Sequence, residues 1–169
     1  QGMDQAIRLS LRLGGKPIGV VYASPLSRAA DTARALAERR GVPLVLDERL
    51  REYNMGDWSG KTGDEIAATS PEFRSDGPHV QIPGGENAQE MRDRVGAFLA
   101  DLIARHGSGD QRVAVVSHGG TLGAVVGAML EMPVLRRHPF TFGNASVTEA
   151  VLNSSRWRLK TLNDQHHLH

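Results

Sequence analysis

The chain has 169 residues, 40% hydrophobic and 23% charged, an ordinary composition for one folded domain with a real core. Twenty Lys and Arg against nineteen Asp and Glu leave a formal charge of +1 without a polybasic block, so bulk charge offers no case for nucleic acid. Cysteine is absent, which excludes disulfides, thiolate metal sites and cysteine nucleophiles together, and no apolar run is long enough to cross a bilayer.

In chain order, Ile7 with Leu11 and Leu9 with Leu13, each four apart, predict a short helix over 5–13. Gly14-Gly15-Lys16-Pro17 stops it. The uninterrupted apolar run at 19–23 has strand length and suits a strand covered on both faces. Ser24-Pro25 reads as an N-cap followed by proline at the first helical position. That helix carries Ala29, Ala30, Ala33, Leu36 and Ala37 and ends at Gly41. A second short strand is expected over 43–46. The stretch 52–86 is richer in Gly, Pro and polar residues, with one short helix near 64–69, and 53–86 reads as a cap-like excursion. Asn87 caps the clearest helix, whose inward stripe is Met91, Val95, Phe98, Leu99, Leu102 and Ile103. Met91 and Met129 fit helix packing. The segment 112–117 contains Val113-Ala114-Val115-Val116, another buried-strand signal, and a small-residue helix follows over 121–130. Two late strands are expected over 145–152 and 156–162. Strands alternating with helices argue for a three-layer α/β/α sandwich with a mainly parallel sheet, in one domain over 1–169.

Three places could carry chemistry. Ser117-His118-Gly119-Gly120 ends a strand and opens a helix, where free N–H groups and the positive dipole end favour an anion. His118 can hydrogen-bond a phosphoryl oxygen there, or simply cap the helix. Arg28, in Ser24-Pro25-Leu26-Ser27-Arg28, follows another strand end, and its forked guanidinium matches phosphate oxygens; by itself it would be an ordinary surface arginine. Glu52 precedes the loop Gly56-Asp57-Trp58-Ser59-Gly60. Partly shielded by Trp58, it could keep a proton for a leaving oxygen; a solvated loop Glu is the plain alternative.

Taken together, these pieces resemble the histidine phosphatases of the phosphoglycerate-mutase-like superfamily. The resemblance rests on Ser24-Pro25-Leu26-x-Arg28, Leu50-x-Glu52 with Gly56-x-Trp58-x-Gly60, Pro83-Gly84-Gly85-Glu86, and Val116-Ser117-His118-Gly119-Gly120, in that order. Asn144-Ala145-Ser146-Val147 and Leu162-Asn163-Asp164 extend it across nearly the whole chain. It implies a phosphoglycerate-mutase-like fold and a phosphomonoesterase acting on small phosphate esters through a phosphohistidine. Arg28 and the Gly119 N–H would bind the phosphoryl oxygens, Glu52 would donate the proton and later activate water, and His118 would stabilise the transferring group. The resemblance implies no cofactor and no metal, a small phosphorylated metabolite as partner, and a cytoplasmic setting. A homodimer is an open expectation. Alternatives are a phosphoglycerate mutase, or a non-catalytic phosphate-ester binder if the native chain has no nucleophile.

Two departures stand out. The family's nucleophile lies in an Arg-His-Gly at the end of the first strand. Arg105-His106-Gly107 spells those letters, but at a helix C-terminus, and is read as a false match. The family's first strand is interior to the sheet, and a fold without it would leave a slot of unpaired backbone. The expectation is therefore a longer native chain, with that strand and the nucleophilic histidine upstream of Gln1. Second, Gln1-Gly2-Met3-Asp4 runs straight into Gln5-Ala6, where family members have an intervening loop, so an omitted loop is expected between Asp4 and Gln5. His166, His167 and His169 read as a native tail, and Arg136-Arg137-His138 as a solvated basic loop, with a place at the pocket mouth as the alternative.

Overall fold

The computed structural model describes residues 2–74, 77–109 and 111–169. Helix α1 covers Gly2–Arg12, starting earlier than the expected 5–13. It passes through Asp4 and Gln5 without a break, and Arg8 pairs with Asp4 one turn away at 3.0 Å. There follow β1 (Ile18–Ala23), α2 (Ser27–Arg40), β2 (Leu44–Leu46), α3 (Gly63–Thr69), α4 (Ala88–His106), β3 (Arg112–Val116), α5 (Gly119–Met129), β4 (Val147–Asn153) and β5 (Arg156–Asp164).

β1 is the centre of a parallel sheet of order β2-β1-β3. It has helices on both sides, as its unbroken apolar run requires. On one face Val20 and Tyr22 join Leu50, Met91, Val95, Phe98, Leu99, Leu102 and Val125. On the other, Ile18, Val21 and Ala23 pack on Ala33, Leu36 and Ala37 of α2. A register irregularity between Ile18 and Val20 explains how Ile18 shares a face with Val21 across an odd spacing. The sheet thus lies between α1 with α2 and α4 with α5, the three-layer arrangement.

α2 opens later than the sequence pattern implies. Leu26, not Ser24, sits in the cap position, with φ −64 and ψ 130 and no side-chain cap. Proline disfavours helical backbone in the residue before it, so Ser24 continues outward from β1; its hydroxyl accepts the Leu26 N–H at 3.3 Å and also meets a side chain from another element. The other end is as expected: Gly41 adopts φ 65, the left-handed turn that closes a helix. α4 starts on a full capping box between Asn87 and Glu90, and its stripe is buried from Met91 to Leu102. Ile103 departs from that stripe at 38% exposure.

The late strands form an antiparallel hairpin rather than a continuation of the parallel sheet. Among the described residues β3 pairs with β1 alone and β4 with β5 alone. β3, expected to be covered on both faces, is therefore only half-buried from Val113 to Val116. Between the two strand edges lies a groove of about 1010 Å³, walled by β3, β4 and side chains including Phe98, Leu99 and Ile103. The excursion between β2 and α4 has its own small core, where Trp58, Ile66 and Ile82 are buried and Phe73 meets Trp58 edge-on. At the C-terminus His166–Leu168 form a 3-10 turn against α1.

Candidate active site

β1 and β3 run parallel in register, with Ala23 beside Val116, so the residues that follow them leave the sheet at the same end. The Ser24 N–H donates to the Val116 carbonyl at 3.0 Å and fixes that junction. Arg28, one residue into α2, and His118, the residue before α5, therefore meet: Arg28 Nε donates to His118 Nδ1 at 3.1 Å. A guanidinium nitrogen can only donate, so Nδ1 accepts and the ring proton sits on Nε2. That proton faces Ser24 Oγ at 2.8 Å. His118 is buried, 8% exposed. Burial lowers its pKa first, the Arg28 charge lowers it further, and Glu52 pulls the other way. The ring is neutral at pH 7.

Glu52 reaches the same rim from the 3-10 turn that follows β2. Its two carboxylate oxygens are treated unequally. Oε1 accepts from the Tyr53 N–H at 2.9 Å and the Thr121 N–H at 3.1 Å, with the Thr121 hydroxyl oxygen 3.3 Å away. Among the described residues Oε2 accepts only from the Gly120 N–H, at 3.3 Å. Oε2 is thus the less engaged of the two oxygens. The first turn of α5 supplies these donors because its N–H groups have no intrahelical acceptors. With Gly120 and Thr121 committed to Glu52, the Gly119 N–H has no protein acceptor among the described residues and borders the groove. A Cβ at Gly120 would stand 2.6 Å from Glu52 Oε1 and push the carboxylate off its donors.

The backbone that carries Glu52 is tied down from three sides. Ser117 Oγ donates to the Leu50 carbonyl at 2.7 Å, and Thr121 Oγ1 to the Arg51 carbonyl at 2.6 Å. Arg94 donates to the Arg49 carbonyl at 2.6 Å and the Glu52 carbonyl at 3.5 Å. Glu86, from the Pro83-Gly84-Gly85-Glu86 turn, holds Arg94 in a two-pronged pair at 2.7 and 2.9 Å.

Arg28, Glu52, His118 and Gly119, the four residues singled out in the sequence, all border one end of the groove. Ser24, Ser117, Thr121 and Arg94 escaped that reading. Ser24 carried a signal, a hydroxyl at a strand end before proline, but it pointed to a helix cap. Trp58 is not the shield expected for Glu52; it packs into Ile66 and Ile82. Arg105-His106-Gly107 ends α4, where His106 bonds Tyr22 and Gln111, away from this cluster. Arg136 and Arg137 both stack their guanidiniums on Phe73; Arg136 is partly buried there, and Arg137 stays exposed as expected. Among the described residues no cluster of three or more His, Cys, Asp or Glu is arranged to hold a metal ion, and no helix is long and apolar enough to cross a membrane.

The family model described as "Histidine phosphatase superfamily (branch 1)" matches residues 1–165. The chain is 34% identical to the glucosyl-3-phosphoglycerate phosphatase of Mycobacterium tuberculosis (strain ATCC 25618 / H37Rv) over 96% of its length and 81% of that protein's. It is 32% identical to the probable phosphoglycerate mutase GpmB of Salmonella choleraesuis (strain SC-B67), over 99% of its own length and 81% of the relative's. Among solved structures it superposes on the alpha-ribazole phosphatase from Shigella flexneri with a TM-score of 0.84 at 26% identity, covering 96% of this chain and 81% of that one.

Proposed function

The chain belongs to the histidine phosphatase superfamily, and from that premise we propose that it hydrolyses small phosphate monoesters through a phosphohistidine. The observation that carries this reading is the meeting of Arg28, Glu52 and His118 at one end of one groove. A guanidinium, a proton-trading carboxylate and a neutral ring N–H are what phosphoryl transfer needs, because positioning and charge neutralisation supply most of its catalysis.

In this reading the groove between β3 and β4 accepts one further strand from upstream of Gln1, and the nucleophilic histidine stands at that strand's end. Two facing strand edges and an apolar floor support it, since each edge presents backbone donors and acceptors that only another strand satisfies in full. The histidine nitrogen attacks phosphorus, the ester P–O bond breaks, and Glu52 Oε2 gives its proton to the departing alcohol. Arg28, the Gly119 N–H and His118 Nε2–H neutralise charge on the transferring oxygens. Water then attacks the phosphohistidine, Glu52 takes its proton, and the P–N bond breaks to return the histidine and release phosphate.

The Mycobacterium and Shigella relatives carry phosphatase names, which favours hydrolysis. The Salmonella relative, a probable mutase, keeps one second reading in play: return of the phosphoryl group to another hydroxyl. Full-length protein assayed with p-nitrophenyl phosphate and with 3-phosphoglycerate separates them. Phosphate release is expected from both. Arg28→Ala and His118→Ala are expected to lower kcat/KM by about 100-fold or more, the scale of losing a donor to developing charge. Isomerisation of 3-phosphoglycerate faster than phosphate release would reject hydrolysis, and undiminished turnover in His118→Ala would reject the site.

A further inference from the structure

A second cavity, of about 260 Å³, opens beside Glu52 between α4, α5 and the segment that follows α5. Gly120 is its shared wall, since the same residue presses against the Glu52 carboxylate. Gly120, Gly123 and Gly127 fall on one face of α5 and make the room. Arg92, Arg136 and Arg137 line it, and among the described residues no Asp or Glu does.

Arg92 is half-buried and has no carboxylate partner among the described residues. One of its nitrogens, Nη2, donates to the Gly127 and Met132 carbonyls, both at 3.1 Å. Its Nε–H and Nη1 donors have no protein acceptor among the described residues. Burial alone pushes its pKa down, with Asp93 a minor opposing influence. Tyr53 lines the same cavity, and its buried hydroxyl has no hydrogen-bond partner among the described residues. Burial, with Glu86 next, pushes that hydroxyl up to about 12, so it remains a donor at neutral pH. A buried donor without an acceptor costs free energy, and a half-buried cation facing no anion costs more. Both costs are relieved by one ligand group that is acceptor-rich and negative.

We propose that this cavity receives the leaving alcohol of the phosphate ester, and that Arg92, with Tyr53, binds a carboxylate borne by that alcohol. The assignment rests on the phosphatase reading, in which Glu52 protonates the leaving oxygen and so places the alcohol on the Gly120 and Tyr53 side. A carboxylate fits better than a second phosphate. Arg92 faces no carboxylate among the described residues and matches one negative charge, and apart from the arginines, Tyr53 and His138 the lining is apolar.

The test uses two esters of matched size on full-length protein: 3-phosphoglycerate, which has the carboxylate, and glycerol 1-phosphate, which has a hydroxymethyl group in its place. The kcat/KM ratio is expected to favour 3-phosphoglycerate by about tenfold or more. Arg92→Met should bring it near parity, mainly through KM, as loss of binding uniform between ground and transition states does. Arg92→Lys should keep part of the preference. Tyr53→Phe should lower it by a smaller factor, and it serves as the readout if Arg92→Met does not fold. A ratio unmoved by either substitution overturns the assignment. So does an equal fall on both esters with a lowered melting temperature, which would make Arg92 only a tie to the end of α5. Phosphate release from p-nitrophenyl phosphate with no preference between the two esters sinks the subsite alone. No release from any of the three sinks the phosphatase reading and the subsite with it.

Discussion

His118 is held at both ring nitrogens, by a donor on Nδ1 and by the Ser24 hydroxyl at Nε2, in a buried position next to a permanent cation. A second proton would have to displace Arg28. The folded-state pKa is therefore below 6.5, the ordinary histidine value. Between that value and the lowered one, the unfolded chain binds a proton that the folded chain does not, so stability falls as pH falls through this window and is unaffected above it. Ring ¹⁵N spectra should report the Nε2–H tautomer at pH 7 and a titration midpoint below 6.5, and His118→Gln should flatten the loss of stability on the acid side. A midpoint above 6.5 would contradict the Arg28 contact. Arg28, Glu52 and His118 were legible in the sequence because each follows a strand end, a position the chain pattern itself defines. Ser24 and Trp58 were misread because a hydroxyl before proline and an indole in a glycine loop each have several local uses. Only the tertiary partners, His118 for one and Ile66 with Ile82 for the other, decide among them.

One of the elements that fix Glu52 in space is α4, through Arg94. Glu86 and Arg94 are the most buried ion pair near the site, with side chains 15% and 20% exposed. Burial pushes the Glu86 carboxyl up, but Arg94 and the Asn54 N–H more than offset it, and its pKa stays below the ordinary value. Arg94 also donates to the Arg49 and Glu52 carbonyls, so the pair couples the Pro83–Glu86 turn, α4 and the backbone that carries Glu52. Glu86→Ala leaves a half-buried guanidinium without its anion, a loss expected to cost about 3 kcal/mol in urea unfolding. Activity should fall further than stability alone explains, because the Glu52 backbone loses its tether. A variant that unfolds with an unchanged urea midpoint would deny the pair this role. Helix and strand existence was readable at this scale: the Asn87 cap and the 19–23 run each agree with their neighbours. The burial of β3 was not readable, because apolar composition is the same whether or not a strand's outer edge has a neighbour.

At the scale of the whole molecule the chain is divided along one line. The three-stranded parallel sheet stops at β3, the hairpin begins at β4, and the groove between them is walled by apolar side chains from both. Contiguous apolar surface of this kind favours a cover, and on the proposed reading that cover is a further strand. Ile103 follows the same logic: it belongs to the helical stripe in the sequence yet is exposed, and it borders this groove. Residues 1–169 expressed by themselves should therefore bind the dye ANS and exchange the outward amides of β3 and β4 quickly. A longer chain carrying the filling strand should lose the dye signal and protect those amides, because parallel pairing on β3 and a second partner on β4 would engage them. The Arg28–His118 rim, anchored on α2 and the start of α5, should keep its geometry in both, and ring spectra of His118 test that. Equal dye binding and equal exchange in the two chains would mean that the groove is not a strand site, and the nucleophile would then have to come from elsewhere.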